Sequence, residues 1–412
     1  MLSIDQLPFL TADVAGLGGR IKARPEDFVV EEVPLYEPCG EGTHVYFKIE
    51  KVGIPTMRAV HEIARFLGVR ARDIGYAGQK DADAVTRQTL SVEHVDPARI
   101  ERLEVPRIRV LSVSRHGNKL RLGHLAGNRF TIRLRQVDCG CVEAVRSAME
   151  VLARRGVPNY LGPQRFGFRG DTWRIGLAIM QGNYDEAVAY LVGRVGDKDH
   201  GDVRRARELF ERGDYAGAAG AWSYLFSNER RLCWAMVKEK GNAKRAFRAL
   251  DKNMRLFYLS AYQSHLFNQI VARRINALDR LMPGDLAWRH PQGAVFAVED
   301  LAREQPRCDA FEISPTGPLF GHRMSMPTGQ PGAWEQELLA ETGLTLESFK
   351  DGRDRTTKGG RRPLRFQPHD AAVEAGRDEH GEYIELRFQL ESGCYATTVL
   401  REICKTFDSG AE

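Results

Sequence analysis

The 412-residue sequence contains no apolar run long enough to cross a bilayer. Its start, MLSIDQLPFL, lacks a basic segment followed by an apolar core, so no signal peptide is expected and a cytoplasmic location is. Cysteine is sparse and scattered. The 7 residues Cys39, Cys139, Cys141, Cys233, Cys308, Cys394 and Cys404 are odd in number, and Cys139-Gly-Cys141 is the one close pair. No second Cys-x-x-Cys or His pair follows at zinc-ligand spacing, so reduced thiols and no metal site are expected. A large charge of one sign is missing too: 60 Lys and Arg face 55 Asp and Glu, for a net charge of +5. Any nucleic-acid surface must therefore be a local patch. Repeats and low-complexity tracts are absent.

What remains is a globular composition, 42% hydrophobic and 28% charged, on a chain with room for roughly two or three domains. The first third reads as strands with one clear helix. DFVVEEVP and HVYFKIEKV are strand-like, the second alternating Val45, Phe47 and Ile49 against Tyr46, Lys48 and Glu50. MRAVHEIARFLG reads as a helix, with Thr56 as N-cap and Gly68 as terminator. Gly117-Asn118 predicts a hairpin turn between two alternating runs, and NRFTIRLRQV a further strand with Phe130, Ile132 and Leu134 on one side. From DTWRIGLAIM to SHLFNQIVARRI the period becomes helical, and HPQGAVFAVEDL suggests a short strand pair. KDGRDRTTKGGRRPLRF reads as a connector. YIELRFQLESG then alternates strictly and ATTVLREICKTF closes the chain as a helix. The fold class expected is α+β, a mostly antiparallel sheet domain with a mainly helical insertion.

Three stretches carry chemistry. GYAGQKDADAVTRQTLSV (Gly75 to Val92) sets Asp81 on a small turn, with Asp83 as a rival. An ionised carboxylate there suits a nucleophile or base, whereas an ordinary turn aspartate bonds its own backbone. Asp81 follows the Gly78-Gln79-Lys80 turn, and a small residue at Ala77 would let backbone or ligand come close. Asn128-Arg129-Phe130 enters a strand whose phase places Phe130 in the core. YLGPQRFGFRG interleaves aromatics and arginines, the mixture that stacks bases and meets phosphates. From Lys238 to Arg255, the cations Lys238, Lys240, Lys244, Arg245, Arg248, Lys252 and Arg255 face few acids, suiting either phosphate contact or a solvated helix face.

GYAGQKDADAVTRQ resembles the signature of the TruD family of tRNA pseudouridine synthases. IKARPEDFVVEEVP, AGNRFTIRLR, PNYLGPQRFG, YLSAYQSHLFN, GPLFGHRM, RRPLRF and FQLESGCYATTVLREI resemble further family blocks, in the family's order. The resemblance implies a catalytic pseudouridine-synthase domain in two parts, residues 1–157 and 359–412, around an inserted TRUD domain at 158–358. It implies Asp81 as the catalytic aspartate, and Phe28, Asn128 and Tyr395 as contacts of the target uridine. Phe130 resembles the aromatic of an Asn-x-Phe motif lining the pocket, and Lys22 a basic partner of the carboxylate. Tyr395 departs from the phenylalanine common in the family.

The implied reaction isomerises a uridine of tRNA, uridine 13 by the resemblance, to pseudouridine. The N1–C1′ bond breaks, the uracil turns, and C5 joins C1′. That needs no net redox change, so no cofactor is expected; the partner is tRNA, and a monomer is expected. Lys244, Arg245 and Arg248 are the candidate RNA contacts outside the reacting site. Two other readings share some of these residues: an RNA-binding module without activity, and a metal-dependent phosphodiesterase using Asp81 and Asp83.

Overall fold

Strand alternation in the first third and at the end of the chain converges on one sheet. In the computed structural model, which describes residues 1–350 and 356–408, the strands of that sheet are β1 (Phe28–Pro34), β2 (His44–Val52), β3 (Gly75–Tyr76), β4 (Val85–Glu93), β5 (Ile108–His116), β6 (Leu125–Arg135), β7 (His369–Asp378) and β8 (Gly381–Glu391). Their order is β7-β8-β6-β1-β4-β2-β5, with β3 paired to β4. The β1–β4 pairing is parallel and the others are antiparallel.

Two apolar clusters explain these placements. Phe130, Ile132 and Leu134 of β6 and Ile384, Leu386, Phe388 and Leu390 of β8 bury the faces that their alternation marks. Phe28 and Val30 of β1 join them, with side chains from α2 (Val142–Arg155) and α3 (Ala396–Cys404). The second cluster packs Val45, Phe47 and Ile49 of β2 and Leu90 and Val92 of β4 against Val60, Ile63, Ala64 and Leu67 of α1 (Thr56–Leu67). Gly68 ends α1 at φ 70°, returning its N–H to Ala64 and Arg65.

Two local expectations fail. Thr56 is the first helical residue, not the cap. Its hydroxyl donates to Gln88 Oε1 at 2.9 Å and accepts from the Lys80 N–H at 2.8 Å, so it serves the loop before β4 instead. Gly117-Asn118 turns no hairpin either. β5 pairs with β2, and residues 119–124 form no strand. Leu120, the apolar residue of that run, packs with Tyr46 and Ala77 while its N–H donates to Ser91 Oγ.

The chain divides into two compact units. One holds the sheet, from Phe9–Val157 and Phe366–Glu412. The other takes Met1–Pro8 and Pro158–Arg365. Residues 1–8 and 359–365 thus lie with the inserted segment rather than with the sheet. Leu2 exchanges backbone bonds with the Gln269 amide, and Gly360–Pro363 forms a strand beside Ile313–Leu319. The expected connector from Lys350 to Phe366 is therefore partly sheet; its residues 351–355 lie outside the described residues.

In this second unit the helical period is realised in a series of helices that includes Thr172–Met180, Tyr184–Val192, Ser227–Lys238 and the 22-residue Lys252–Arg273. The short strands Leu286–Arg289 and Ala294–Ala297 pair as expected. Among the described residues no helix is long and apolar enough to cross a membrane.

Candidate active site

Asp81 stands on the loop between β3 and β4, and its backbone is clamped from beneath. Lys51 continues the inward face of β2 and has no exposed surface. Its ammonium donates to the carbonyl of Asp81 at 2.8 Å and to that of Ile54 at 2.6 Å. Burial pushes this lysine down to about 8. The next residue back is held as firmly. Lys80 takes the Thr56 hydroxyl on its N–H, while its side chain runs inward to Asn128 Oδ1 at 2.6 Å and lies 3.2 Å from Glu32 Oε2. Burial pushes the Glu32 carboxyl up, and Lys80 pulls against that shift.

The side chain of Asp81 remains about half exposed (46%) and meets Lys22 Nζ at 2.8 Å. Lys22 lies in the left-handed region at φ 54°, a conformation that costs a non-glycine residue roughly 1–2 kcal/mol. Its neighbours hold it there. Arg20 exchanges backbone bonds with Arg135 at the end of β6, and Ile21 donates to Asp408. The Lys22 ammonium also lies 4.7 Å from the centre of the Phe28 ring, a cation–π contact. Phe28 meets Phe130 edge-on at 6.3 Å, and Phe130 lies 5.5 Å from Phe388. Five candidates, Asp81, Lys22, Phe28, Phe130 and Asn128, are thus linked directly or through Lys80.

The sixth is joined to these five by no hydrogen bond or ring contact among the described residues. Tyr395 is the N-cap residue of α3, 38% exposed. The segment leading to it leaves β8 beside β6, where Ser392 donates to Ala126 O. Phe28 and Phe130 are 2% and 7% exposed, so Tyr395 is the ring of the three that faces solvent. The two glycines ahead of Asp81 differ in their surroundings. A side chain at Gly75 would lie 2.3 Å from the Leu120 carbonyl, so that glycine admits the protein's own backbone. Gly78 has only ordinary contacts around it.

Asp83 is exposed at a bend, and among the described residues no group of three or more His, Cys, Asp or Glu side chains could hold a metal ion. All seven cysteines are free thiols.

In the other unit, Lys244, Arg245 and Arg248 are exposed on a short helix (Ala243–Ala246) and the turn after it. Asn242 caps this helix, while Ala243, Ala246 and Phe247 are buried beneath. YLGPQRFGFRG separates by burial: Tyr160, Leu161 and Phe166 are core, Phe168 is 80% exposed, and Arg169 pairs with Asp171 and Asp199. Arg361 is buried against Glu335, and Arg362 bonds Asn159, so neither is an open cation for RNA.

Lys51, Lys80 and Glu32 were not singled out from the sequence, although a signal was present. Glu32 follows Phe28 and Val30 on the inward face of β1, and Lys51 follows Val45, Phe47 and Ile49 on that of β2. A charge in the apolar phase of a strand marks a buried polar contact.

Known proteins resemble this chain over nearly its whole length. The model of the family described as tRNA pseudouridine synthase D (TruD) matches residues 6–403. A tRNA pseudouridine synthase D of Geobacter metallireducens is 46% identical over 397 residues, 96% of this chain and 97% of its own. That of Geobacter sp. strain M21 is 45% identical over 398 residues, 97% and 99% of the two chains. A Methanosarcina mazei crystal structure described as TruD superposes with a TM-score of 0.87 at 29% identity, covering 98% of this chain and 97% of that one. The chain belongs to the TruD family of tRNA pseudouridine synthases.

Proposed function

We propose that this protein isomerises a uridine of tRNA, uridine 13 by its family, to pseudouridine, and that Asp81 is the catalytic carboxylate. The observation that carries this is the contrast within one residue: Asp81 has its backbone pinned by the buried Lys51 while its carboxylate stays accessible beside Lys22. The Lys22 ammonium, 2.8 Å away, complements the ionised form that the chemistry requires.

The target uridine must leave its stack, at a cost of a few kcal/mol met by protein–RNA contacts. Asp81 then acts on the ribose, as nucleophile at C1′ or as base on a ribose proton. The N1–C1′ bond breaks, the freed uracil turns, and C5 bonds C1′ as its proton passes to N1. Tyr395 offers an exposed ring on which the detached base can stack, and Asn128 a polar contact. Phe28 and Phe130 act from behind, Phe28 by seating Lys22 on its face. Lys244, Arg245 and Arg248 contribute affinity through phosphates and no base recognition. Atoms and electrons balance without a metal or an external redox partner, so turnover is expected to survive excess EDTA.

The decisive test is Asp81→Asn, assayed by pseudouridine mapping of tRNA. No product and near-normal tRNA affinity are expected. Turnover within a few-fold of wild type would remove Asp81 from the reaction.

A further inference from the structure

The ammonium of Lys80 is aimed at a single atom of Asn128. Lys80 follows the chain into the core from the residue before Asp81, with its side chain 5% exposed. Two groups receive it: Glu32 Oε2 at 3.2 Å, from a side chain 3% exposed, and Asn128 Oδ1 at 2.6 Å. The register accounts for the meeting. Asn128 of β6 stands opposite Glu32 of β1, while Lys80 arrives from the loop ahead of β4, the strand on the other side of β1.

An ammonium has three donors and no acceptor. The amide atom against Lys80 must therefore be oxygen, and a flipped amide would set N–H groups against a cation. Glu32, the cross-strand neighbour of Asn128, adds an ion pair that keeps the cation at this place. With Oδ1 committed, Asn128 has one function left. Its Nδ2 carries two N–H donors, and among the described residues it has no hydrogen-bond partner. Asn128 is only partly buried, so a ligand can reach it.

We propose that Lys80 is a positioning residue that fixes the polarity of the Asn128 amide, so that Nδ2 is presented as a donor to a carbonyl oxygen of the target uracil. This rests on the function proposed above and deepens it: it states which hydrogen-bonding sense the site demands of the base. An acceptor is required at that position. A base that turned an amino group toward Asn128 would set donor against donor and leave both unpaired, the kind of mismatch on which polar sites discriminate most strongly. Lys80 thereby links two parts of the site. Its backbone is tied to Thr56 beside the carboxylate, and its side chain sets the contact for the base.

The test exchanges single atoms of the base. Full-length tRNA transcripts carrying uridine, 2-thiouridine or 4-thiouridine at the target position are compared in single-turnover reactions, since sulfur accepts hydrogen bonds poorly. In the wild-type protein, one of the two thio substitutions should slow the reaction by about tenfold, the loss of one good hydrogen bond. In Asn128→Ala and in Lys80→Met the same substitution should cost less than about twofold, because the donor is gone or no longer held.

Lys80→Met strands Glu32 in the core, so Asn128→Asp supplies an independent arm. Its carboxylate keeps a partner for Lys80 but has no donor, and it too should lose the discrimination while melting close to wild type. The proposal is overturned if neither thio substitution affects the wild type, or if Lys80→Met and Asn128→Asp discriminate as the wild type does. A wild-type protein inactive on unmodified uridine would instead count against the function itself, a separate result.

Discussion

Lys51 Nζ, enclosed on all sides, donates to the backbone carbonyl of Asp81 at 2.8 Å. The main chain of the proposed catalytic residue is thus attached to a buried cation in the second strand of the sheet. Lys51→Met keeps the volume and removes the donor. Turnover should fall tenfold or more, the order expected when a reacting group shifts by a fraction of an ångström, with little change in tRNA affinity. Stability should report on the same residue. Burial lowers Lys51 from 10.5 to about 8, so between those values the unfolded chain carries a proton that the folded one lacks. The cost of the buried charge is present below pH 8 and is relieved as pH rises toward 10.5. Relative to Lys51→Met, the wild type should gain on the order of 3 kcal/mol across that window. Urea unfolding of both proteins at several alkaline pH values checks this.

Phe28 and Tyr395 should separate stability from chemistry. Phe28 is 2% exposed within the larger apolar cluster, so Phe28→Ala should cost about 3–5 kcal/mol of stability and also unseat Lys22. Tyr395→Ala should cost under about 1 kcal/mol yet slow turnover, since a stacking ring is worth about 1–3 kcal/mol per base. Tyr395→Phe should retain activity. Paired melting curves and single-turnover rates decide the matter, and a Tyr395→Ala protein with full activity would take that ring out of the site.

The exposed cations of the inserted unit should act through salt-sensitive affinity. Neutralising Lys244, Arg245 and Arg248 together should weaken tRNA binding broadly and reduce the log–log salt slope by roughly 0.7–0.9 for each phosphate that no longer meets a cation. Saturating tRNA should restore most of the turnover. Salt titrations of wild type and triple variant provide the comparison, and an unchanged slope would make these side chains a solvated surface only.

Acid should loosen the sheet at its Arg135 end. Arg135 forks between Asp27 and Asp378, at 2.7–2.9 Å. Its hydrogen bonds hold the Asp378 carboxyl well below the usual carboxylate range. Such a group contributes stability above the ordinary value of 3.8, which is lost as pH falls through the lower folded value. Asp378→Asn should therefore flatten the acid limb of the stability profile below about pH 4, as denaturant midpoints measured from neutral to acid pH would reveal.

Much of this was legible in the chain because each face of the main strands is chemically uniform. Phe130, Ile132 and Leu134 declare one side of β6, and Ile384 to Leu390 declare one side of β8. The change of period after residue 171 marked the helical insertion. What escaped was set by distant partners. Thr56 has the chemistry of a cap, but Gln88 and Lys80 claim its hydroxyl. The run after Gly117 alternates, yet Leu120 is drawn to Tyr46 and Ala77 instead of a strand partner. Gly360–Pro363, rich in glycine and arginine, becomes sheet because Arg361 finds Glu335. Lys51 and Glu32 were legible only as anomalies of phase, since nothing local names their partners.

The pairing of β6 with β8 also bears on how the protein is made. Arg135 and Asp378 are bonded neighbours 243 positions apart, and every residue of the β6–β8 ladder is separated by the whole insertion. A ribosome delivers β1 to β6 first, then the insertion, and only afterwards the strand that covers the open edge of β6. Throughout that interval the nascent sheet exposes unpaired N–H and C=O groups beside Asn128, the kind of edge that invites pairing with another chain. Chains that stop short of residue 381 would carry Asp81 and Lys22 but leave the β6 side of the site uncovered, so messages cut near the 3′ end should yield aggregates rather than weak enzymes.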